Sequence, residues 1–267
     1  MNSFTQRLSA RIRKSQSWLC VGLDISPEGL GAANPSLQEV KDHCRRVISA
    51  THELACAYKP NLAFFERWGA DGFVWLSEVL AEIGPGVIKI GDAKRGDIGN
   101  TAQQYAMAFF DHFQFDAITV NPYMGEDSIK PFLDFPGKGV FILTRTSNPA
   151  AAFFQNHSEE GSPLYISVAK VCQSLNQNDN IGLVVGATAP AELKQIRDLV
   201  PGLPLLIPGV GTQGGNLKSS LLIGNSQGDA IINVSRGIAF AGDMSEREIN
   251  RVARRYVDQM RRLMDEG

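Results

Sequence analysis

The sequence has almost no net charge, because 26 lysines and arginines are balanced by 28 aspartates and glutamates among its 267 residues, giving −2. Such a chain has neither a basic excess nor an acidic tail, so we expect no nucleic-acid partner. No stretch approaches the ~20 apolar residues that span a bilayer, so we expect no membrane partner. Residues 1–17 are polar and basic and lack the apolar core of a signal peptide. Together these absences predict a cytoplasmic protein.

Cysteine and histidine are too scattered to suggest a metal site. No CxxC pair occurs, and most of the cysteines fall in apolar or helical runs, which is typical of buried free thiols. The histidines show no spacing of metal ligands, so we expect no metal. The cysteines are Cys20, Cys44, Cys56 and Cys172, and the histidines are His43, His52, His112 and His157.

Short apolar runs alternate with helical segments along the whole chain. The runs cover 18–23, 54–58, 87–90, 117–120, 139–143, 181–185, 203–207 and 230–234. Continuous apolar runs are typical of strands buried on both faces, and eight strand–helix repeats predict a (β/α)8 TIM barrel, an α/β fold. A doubly wound open sheet is the alternative, which the absence of GxGxxG after the first run disfavours. Since no linker-like change in composition occurs, we expect a single domain over 1–267.

The helices are predicted from apolar spacing and from capping residues such as Ser36. They cover 4–14, 36–52, 72–83, 102–110, 164–175, 191–199 and 246–264. The segment 148–163, with Ala-Ala-Ala-Phe-Phe near its centre, is too long for an ordinary strand–helix loop. It is either a lid or a surface excursion.

Charged residues cluster at the ends of the predicted strands, where a barrel of this type carries its active site. Asp92 and Lys94 should share a face, because residues i and i+2 of a strand point the same way. Asp97 lies a turn further on, and Lys59 follows the second run. A nearby carboxylate favours a charged ammonium, so the cluster suits proton chemistry. A purely structural ion-pair network is the alternative.

The ends of the seventh and eighth runs indicate a phosphorylated ligand. Gly209, Gly211, Gly214 and Gly215 expose backbone N–H groups, and Arg236 adds a permanent cation. Barrels often bind phosphate at this place, and arginine can hold a phosphate with two hydrogen bonds.

The stretch Asp92-Ala93-Lys94-Arg95-Gly96-Asp97-Ile98-Gly99-Asn100-Thr101 resembles the D-x-K-x-x-D-I-x-N-T signature of the orotidine 5'-phosphate decarboxylase family. Other landmarks follow in order, and the long segment after Ser147 resembles the longer bacterial branch. By this resemblance the substrate-binding residues are Asp24 for the ribose, Ser147 for the pyrimidine with Thr144 or Thr146 as alternatives, and Pro208, Gln213, Ser235 and Arg236 for the phosphate.

The resemblance implies conversion of orotidine monophosphate to uridine monophosphate and CO2 in de novo pyrimidine biosynthesis, with neither metal nor organic cofactor. Lys94 would protonate the C6 carbanion, Asp92 and Asp97 would hold it, and Lys59 would balance the carboxylates. The resemblance also implies a homodimer with shared active sites, to which Asp97, Ile98 and Thr101 reach from the partner.

Two other functions remain compatible with the sequence. A Mg²⁺-dependent sugar-phosphate decarboxylase or aldolase would use the same acids differently. A non-catalytic nucleotide-binding protein would keep the phosphate residues but would not need the charged cluster.

Overall fold

The computed structural model describes residues 2–31, 34–159, 161–211 and 214–266. Within these ranges, eight parallel strands close into a barrel in which each strand pairs with the next barrel strand along the chain and the last pairs with the first. Helices cover the outside, so the predicted (β/α)8 barrel is confirmed and the open doubly wound sheet is excluded. Within the same ranges, no helix is long and apolar enough to cross a membrane.

The barrel strands are β1 (Leu19–Leu23), β2 (Ala57–Pro60), β3 (Ile88–Arg95), β4 (Ala117–Val120), β5 (Gly139–Arg145), β8 (Ile181–Val185), β9 (Leu205–Pro208) and β10 (Ala230–Val234). Strands β6 (Ser158–Glu159) and β7 (Ser162–Pro163) form a small antiparallel pair outside the barrel. The helices are α1 (Phe4–Ser15), α2 (Leu37–Thr51), α3 (Leu62–Glu66), α4 (Gly69–Ile83), α5 (Gly99–Met107), α6 (Lys130–Leu133), α7 (Ala152–Gln155), α8 (Leu164–Leu175), α9 (Pro190–Leu199), α10 (Leu217–Gly224), α11 (Arg236–Ala239) and α12 (Glu246–Glu266).

Helix α1 plugs the end of the barrel at which the strands begin. Its apolar stripe of Phe4, Leu8 and Ile12 is buried together with inward-facing strand residues. The Phe4 ring meets Phe141 of β5 edge to face, with 5.7 Å between ring centroids. Because one end is filled in this way, solvent and ligands enter from the other end, where the strands finish.

The outer core lies between the barrel and its helices. Strands β1, β8 and β10 are buried along their whole length, which explains why each reads as a continuous apolar run. The closing helix α12 packs against α2 and contributes an apolar stripe at helical spacing: Ile249, Val252, Ala253, Val257 and Met260.

The third strand is longer than predicted, and this difference affects the site. The apolar pattern ends at residue 90, but β3 continues to Arg95 through an irregularity in its pairing with β4. Asp92 and Lys94 therefore lie within the strand rather than after it. The second strand is likewise shifted, so that Lys59 lies in β2 itself.

The segment 148–163 is an ordered excursion. It contains a short 3₁₀ turn at Pro149–Ala151, helix α7 and the β6–β7 pair, apart from Glu160, which lies outside the described residues. Its Phe153 and Phe154 side chains are exposed. The end of α7 turns back toward the barrel mouth.

Candidate active site

A cavity of about 500 Å³ occupies the mouth of the barrel, at the carboxyl ends of the strands. The predicted residues that line it are Asp24, Lys59, Asp92, Lys94, Ser147, Pro208, Ser235 and Arg236. Residues of six strands or strand ends therefore converge as the sequence predicts. Gln213, predicted to contact the phosphate, lies outside the described residues.

The Asp92 carboxylate joins two lysines from two adjacent strands. Lys59 Nζ donates to Asp92 Oδ2 at 2.6 Å, and Lys94 Nζ donates to Asp92 Oδ1 at 2.5 Å. Lys59 and Asp92 are almost fully buried, whereas half of the Lys94 side chain is exposed. Asp92 thus fixes two ammonium groups, and the more accessible one faces the cavity.

Electrostatics hold the buried pair in its charged form. Burial by itself lowers the pKa of Lys59, but the Asp92 and Asp24 carboxylates outweigh burial and raise the pKa of Lys59 well above its ordinary value. Burial raises the pKa of Asp92, yet the Lys59 and Lys94 ammonium groups overcome this effect and hold the pKa of Asp92 well below its usual range. A fixed charge pair therefore persists at neutral pH.

Thr119 of β4 supports the cluster and was missed by the sequence reasoning. Its hydroxyl donates to Asp92 Oδ1 at 3.1 Å and accepts the backbone N–H groups of Ala93 and Lys94 at 3.1 and 3.0 Å. Lys94 has a left-handed backbone with φ of 49°, which is uncommon for a residue with a side chain. The Thr119 hydroxyl satisfies the polar groups of this strained bulge.

Asp24 lies on the other side of Lys59. Its Oδ1 is 4.0 Å from Lys59 Nζ and has no hydrogen-bond partner within the described part of the chain, although it is buried. Asn233 also lines the cavity, and the sequence did not predict it. Its buried Oδ1 likewise has no hydrogen-bond partner among the described residues. Unpaired buried acceptors are unfavourable, and both are suited to receive ligand hydroxyl groups.

The predicted phosphate-binding end of the cavity is built from β9, β10 and the turns after them. Gly209 and Gly211 have φ of 100° and 83°, a backbone region that favours glycine. Gly22 must also be a glycine, because a Cβ there would lie 1.8 Å from Ser235 Oγ. This packing holds Ser235 and Arg236 at the cavity wall.

The predicted base-binding end of the cavity is formed by the residues that follow β5. Thr146 and Ser147 line the cavity, whereas the Thr144 hydroxyl is buried and donates to Ile142 O at 3.0 Å. The geometry thus favours Ser147 or Thr146 over Thr144. Gln155 of α7, absent from the sequence prediction, also lines the cavity and contacts Thr146.

Asp97, Ile98 and Thr101 are not among the described residues that line the cavity of their own chain. Asp97 Oδ1 accepts the N–H of Ile98 at 2.8 Å. The Ile98 side chain is 52% exposed and is one of several large apolar side chains at the surface. The three residues therefore lie outside the reaction cavity of a single chain.

A family model, curated relatives and solved structures all indicate the same protein family. The model of the orotidine 5'-phosphate decarboxylase / HUMPS family matches residues 17–248. An orotidine 5'-phosphate decarboxylase of Halorubrum lacusprofundi is 48% identical over 92% of this chain and 90% of its own. One of Cupriavidus metallidurans is 41% identical over 98% of both chains. The solved structure of Leishmania donovani OMP decarboxylase is similar with a TM-score of 0.85 and 39% identity, covering 98% of this chain and 99% of that one.

Proposed function

This chain belongs to the orotidine 5'-phosphate decarboxylase / HUMPS family, and we propose that it converts orotidine 5'-monophosphate to UMP and CO2 at the Lys59–Asp92–Lys94 cluster. One observation carries the assignment of the reaction centre. The Asp92 carboxylate accepts hydrogen bonds from both Lys59 and Lys94 in the barrel mouth, and the Lys94 ammonium is accessible. The proposed phosphate end lines another part of the same cavity.

The chemistry requires charge stabilisation without an electron sink. The bond between C6 of the pyrimidine and its carboxylate carbon breaks, CO2 leaves, and the electron pair stays on C6 in the ring plane. A proton then forms the C6–H bond of UMP. Fixed ammonium groups in a closed site stabilise such a carbanion without the reorganisation that water would need.

Lys94 is the proposed proton donor. Its ammonium is held by Asp92 at 2.5 Å and is the accessible cation of the pair. Asp92 and the partner's Asp97 would position it, while Lys59 balances the buried carboxylate charge. No metal or organic cofactor takes part in this proposal.

The remaining predicted residues would bind the substrate away from C6. Asp24, with its unpaired buried oxygen, receives the ribose hydroxyls. Ser147 meets the pyrimidine, and Arg236 with Ser235, Pro208 and Gln213 holds the phosphate. Binding energy from the remote phosphate can be used to organise the reacting end.

We also propose a homodimer with shared sites. Asp97, Ile98 and Thr101 lie outside their own cavity, and the exposed side chains of Ile98 and, in α5, Tyr105 offer apolar surface for a second copy. A mixture of an inactive Lys94→Ala chain and an inactive Asp97→Ala chain should recover part of the activity, because a heterodimer contains one intact site. Absence of recovery in verified heterodimers would count against sharing.

Two further proposals concern the organisation and location of the chain. A single domain over 1–267 is supported by the family match across 17–248 and by the packing of α12 on α2. A cytoplasmic location is supported by the four cysteines, which are free and buried.

The Mg²⁺-dependent alternative is not favoured, since the relatives similar over nine-tenths of the chain are named as orotidine 5'-phosphate decarboxylases. An ultraviolet assay that follows orotidine monophosphate loss, with and without chelator, tests the proposal. Equal turnover in both is expected. Turnover abolished by the chelator would contradict the cofactor-free mechanism, and tight UMP binding without turnover would support the non-catalytic alternative.

A further inference from the structure

The excursion 148–163 returns one polar side chain, Gln155, to the reaction cavity. Its Oε1 accepts the backbone N–H of Thr146 at 2.9 Å, and its Nε2 donates to Thr146 Oγ1 at 2.9 Å. The Thr146 hydroxyl then donates to Asn148 Oδ1 at 2.8 Å. A rotated amide would face the Thr146 N–H with a second donor, so the two bonds fix the orientation of Gln155.

Gln155 also separates two cavities. It lines the reaction cavity and a neighbouring cavity of about 510 Å³. That neighbour is lined largely by apolar side chains, including Tyr123, Phe154 and Leu164. Without the Gln155 side chain, the base end of the reaction cavity would lose part of its wall.

The segment that Gln155 contacts is the one that the proposed function places against the base. Ser147 directly follows Thr146 and lines the cavity, and its carbonyl accepts the Thr188 hydroxyl at 3.0 Å. Thr146 is thus held from the excursion, and Ser147 from the turn after β8. Loss of the Gln155 amide therefore removes the hydrogen bonds that tie Thr146 to the excursion and leaves Thr146, within the described part of the chain, only the local bonds to Asn148 Oδ1 and Arg145 Nη1.

We propose that Gln155 is a positioning residue that determines recognition of the pyrimidine, by holding Thr146 and thereby presenting Ser147 to the base. The inference rests on the proposed function, because that function places the pyrimidine at this end. The excursion accordingly forms a fixed part of the base-binding wall.

An isosteric substitution separates this role from simple anchoring of the excursion. Gln155→Met keeps the length of the side chain but removes both hydrogen bonds to Thr146. UMP and ribose 5-phosphate serve as probes, since they share the ribose and phosphate and only UMP has a base. If Gln155 positions the base-binding segment, the substitution weakens the binding of UMP and leaves the binding of ribose 5-phosphate unchanged.

The inhibition constants of both probes should be measured for the parent, for Gln155→Met and for a control, Gln173→Ala on the exposed side of α8. We expect Gln155→Met to raise the constant for UMP about tenfold, or ~1.4 kcal/mol, and to leave that for ribose 5-phosphate within about twofold. The control should change neither. Thermal melting and retained ribose 5-phosphate binding would verify that the variant is folded.

If Gln155→Met weakened the binding of both probes equally, or of neither, the inference would be overturned and Gln155 would be only an anchor of the excursion. Failure of the proposed function gives a different result. In that case the parent itself shows no loss of orotidine monophosphate, whereas the probe comparison still decides the role of Gln155.

Discussion

Thr119→Val removes the hydroxyl that links Asp92 to the bulge in β3 while nearly preserving shape. Thr119 is 1% exposed, and its hydroxyl makes three hydrogen bonds, to Asp92 Oδ1 and to the N–H groups of Ala93 and Lys94. Valine leaves both N–H groups without this acceptor, and a buried unsatisfied group costs about 1–3 kcal/mol. Half of the Lys94 side chain is exposed, so water can reach this part of the cavity and partly replace the lost acceptor. We therefore expect the free energy of unfolding to fall by about 2–3 kcal/mol in total, which is less than the full cost of two unsatisfied groups.

Activity should fall together with stability, because Lys94 and Asp92 would no longer be held in register. Small misplacements of reacting groups lower rates by up to about a hundredfold, and we expect kcat to fall about ten- to a hundredfold. Denaturant unfolding and the ultraviolet turnover assay measure the two effects. Thr119→Ser, which keeps the hydroxyl, should retain most of the activity.

Thr51→Val is the matched control. Thr51 is fully buried in α2, and its hydroxyl bonds Val47 O at 2.7 Å and the Tyr58 hydroxyl at 2.8 Å. This variant should lose about 1–2 kcal/mol of stability and keep the parent kcat. If Thr119→Val retained the parent kcat, or if Thr51→Val lost as much activity, the reasoning about the Thr119 hydroxyl would be refuted.

Three further predictions concern the charged groups. Lys94→Ala should fold and lose nearly all turnover in the ultraviolet assay; turnover at the parent rate would contradict its role as proton donor. Arg236→Ala should weaken the binding of UMP much more than the binding of uridine in inhibition assays. Equal weakening of both would contradict the proposal that Arg236 binds the phosphate. The pKa of Asp92 is lowered in the folded protein, so its contribution to stability is present above the unfolded value of about 4 and is lost as pH falls toward the folded value. Acid unfolding curves should therefore show a steeper loss of stability below about pH 4 for the parent than for Asp92→Asn, and parallel curves would contradict this.

The sequence predicts the placement of the site because strand-end positions follow from hydrophobic pattern and topology. The structure brings Asp92, Lys94 and Lys59 to one cavity, although Lys94 reaches it through the irregular end of β3 and not through regular strand alternation. The prediction depends only on local alternation and on the rule that barrel sites lie at the carboxyl ends of strands.

The supporting residues escape prediction because their contacts are not local. Thr119 lies in the apolar fourth run, where a β-branched residue reads simply as a strand former. Gln155 meets Thr146 only because the excursion folds back nine positions later. Asn233 interrupts an otherwise apolar strand, and this polar residue in a buried run was the one available signal of an additional cavity residue.

The largest error in a predicted strand end, that of β3, coincides with the proposed reaction centre. An ordinary strand would carry Asp92 and Lys94 on one face with their side chains parallel, whereas here the Lys94 ammonium turns onto Asp92 Oδ1 while Lys59 takes Oδ2. The turn uses a left-handed backbone at Lys94, which costs on the order of 1–2 kcal/mol. Thr119, on the neighbouring strand, offsets that cost with hydrogen bonds to the bulge. The local sequence pattern predicts a strand end at residue 90, because the group that stabilises the irregular continuation belongs to β4. The deviation from regular strand geometry brings two lysines onto a single carboxylate.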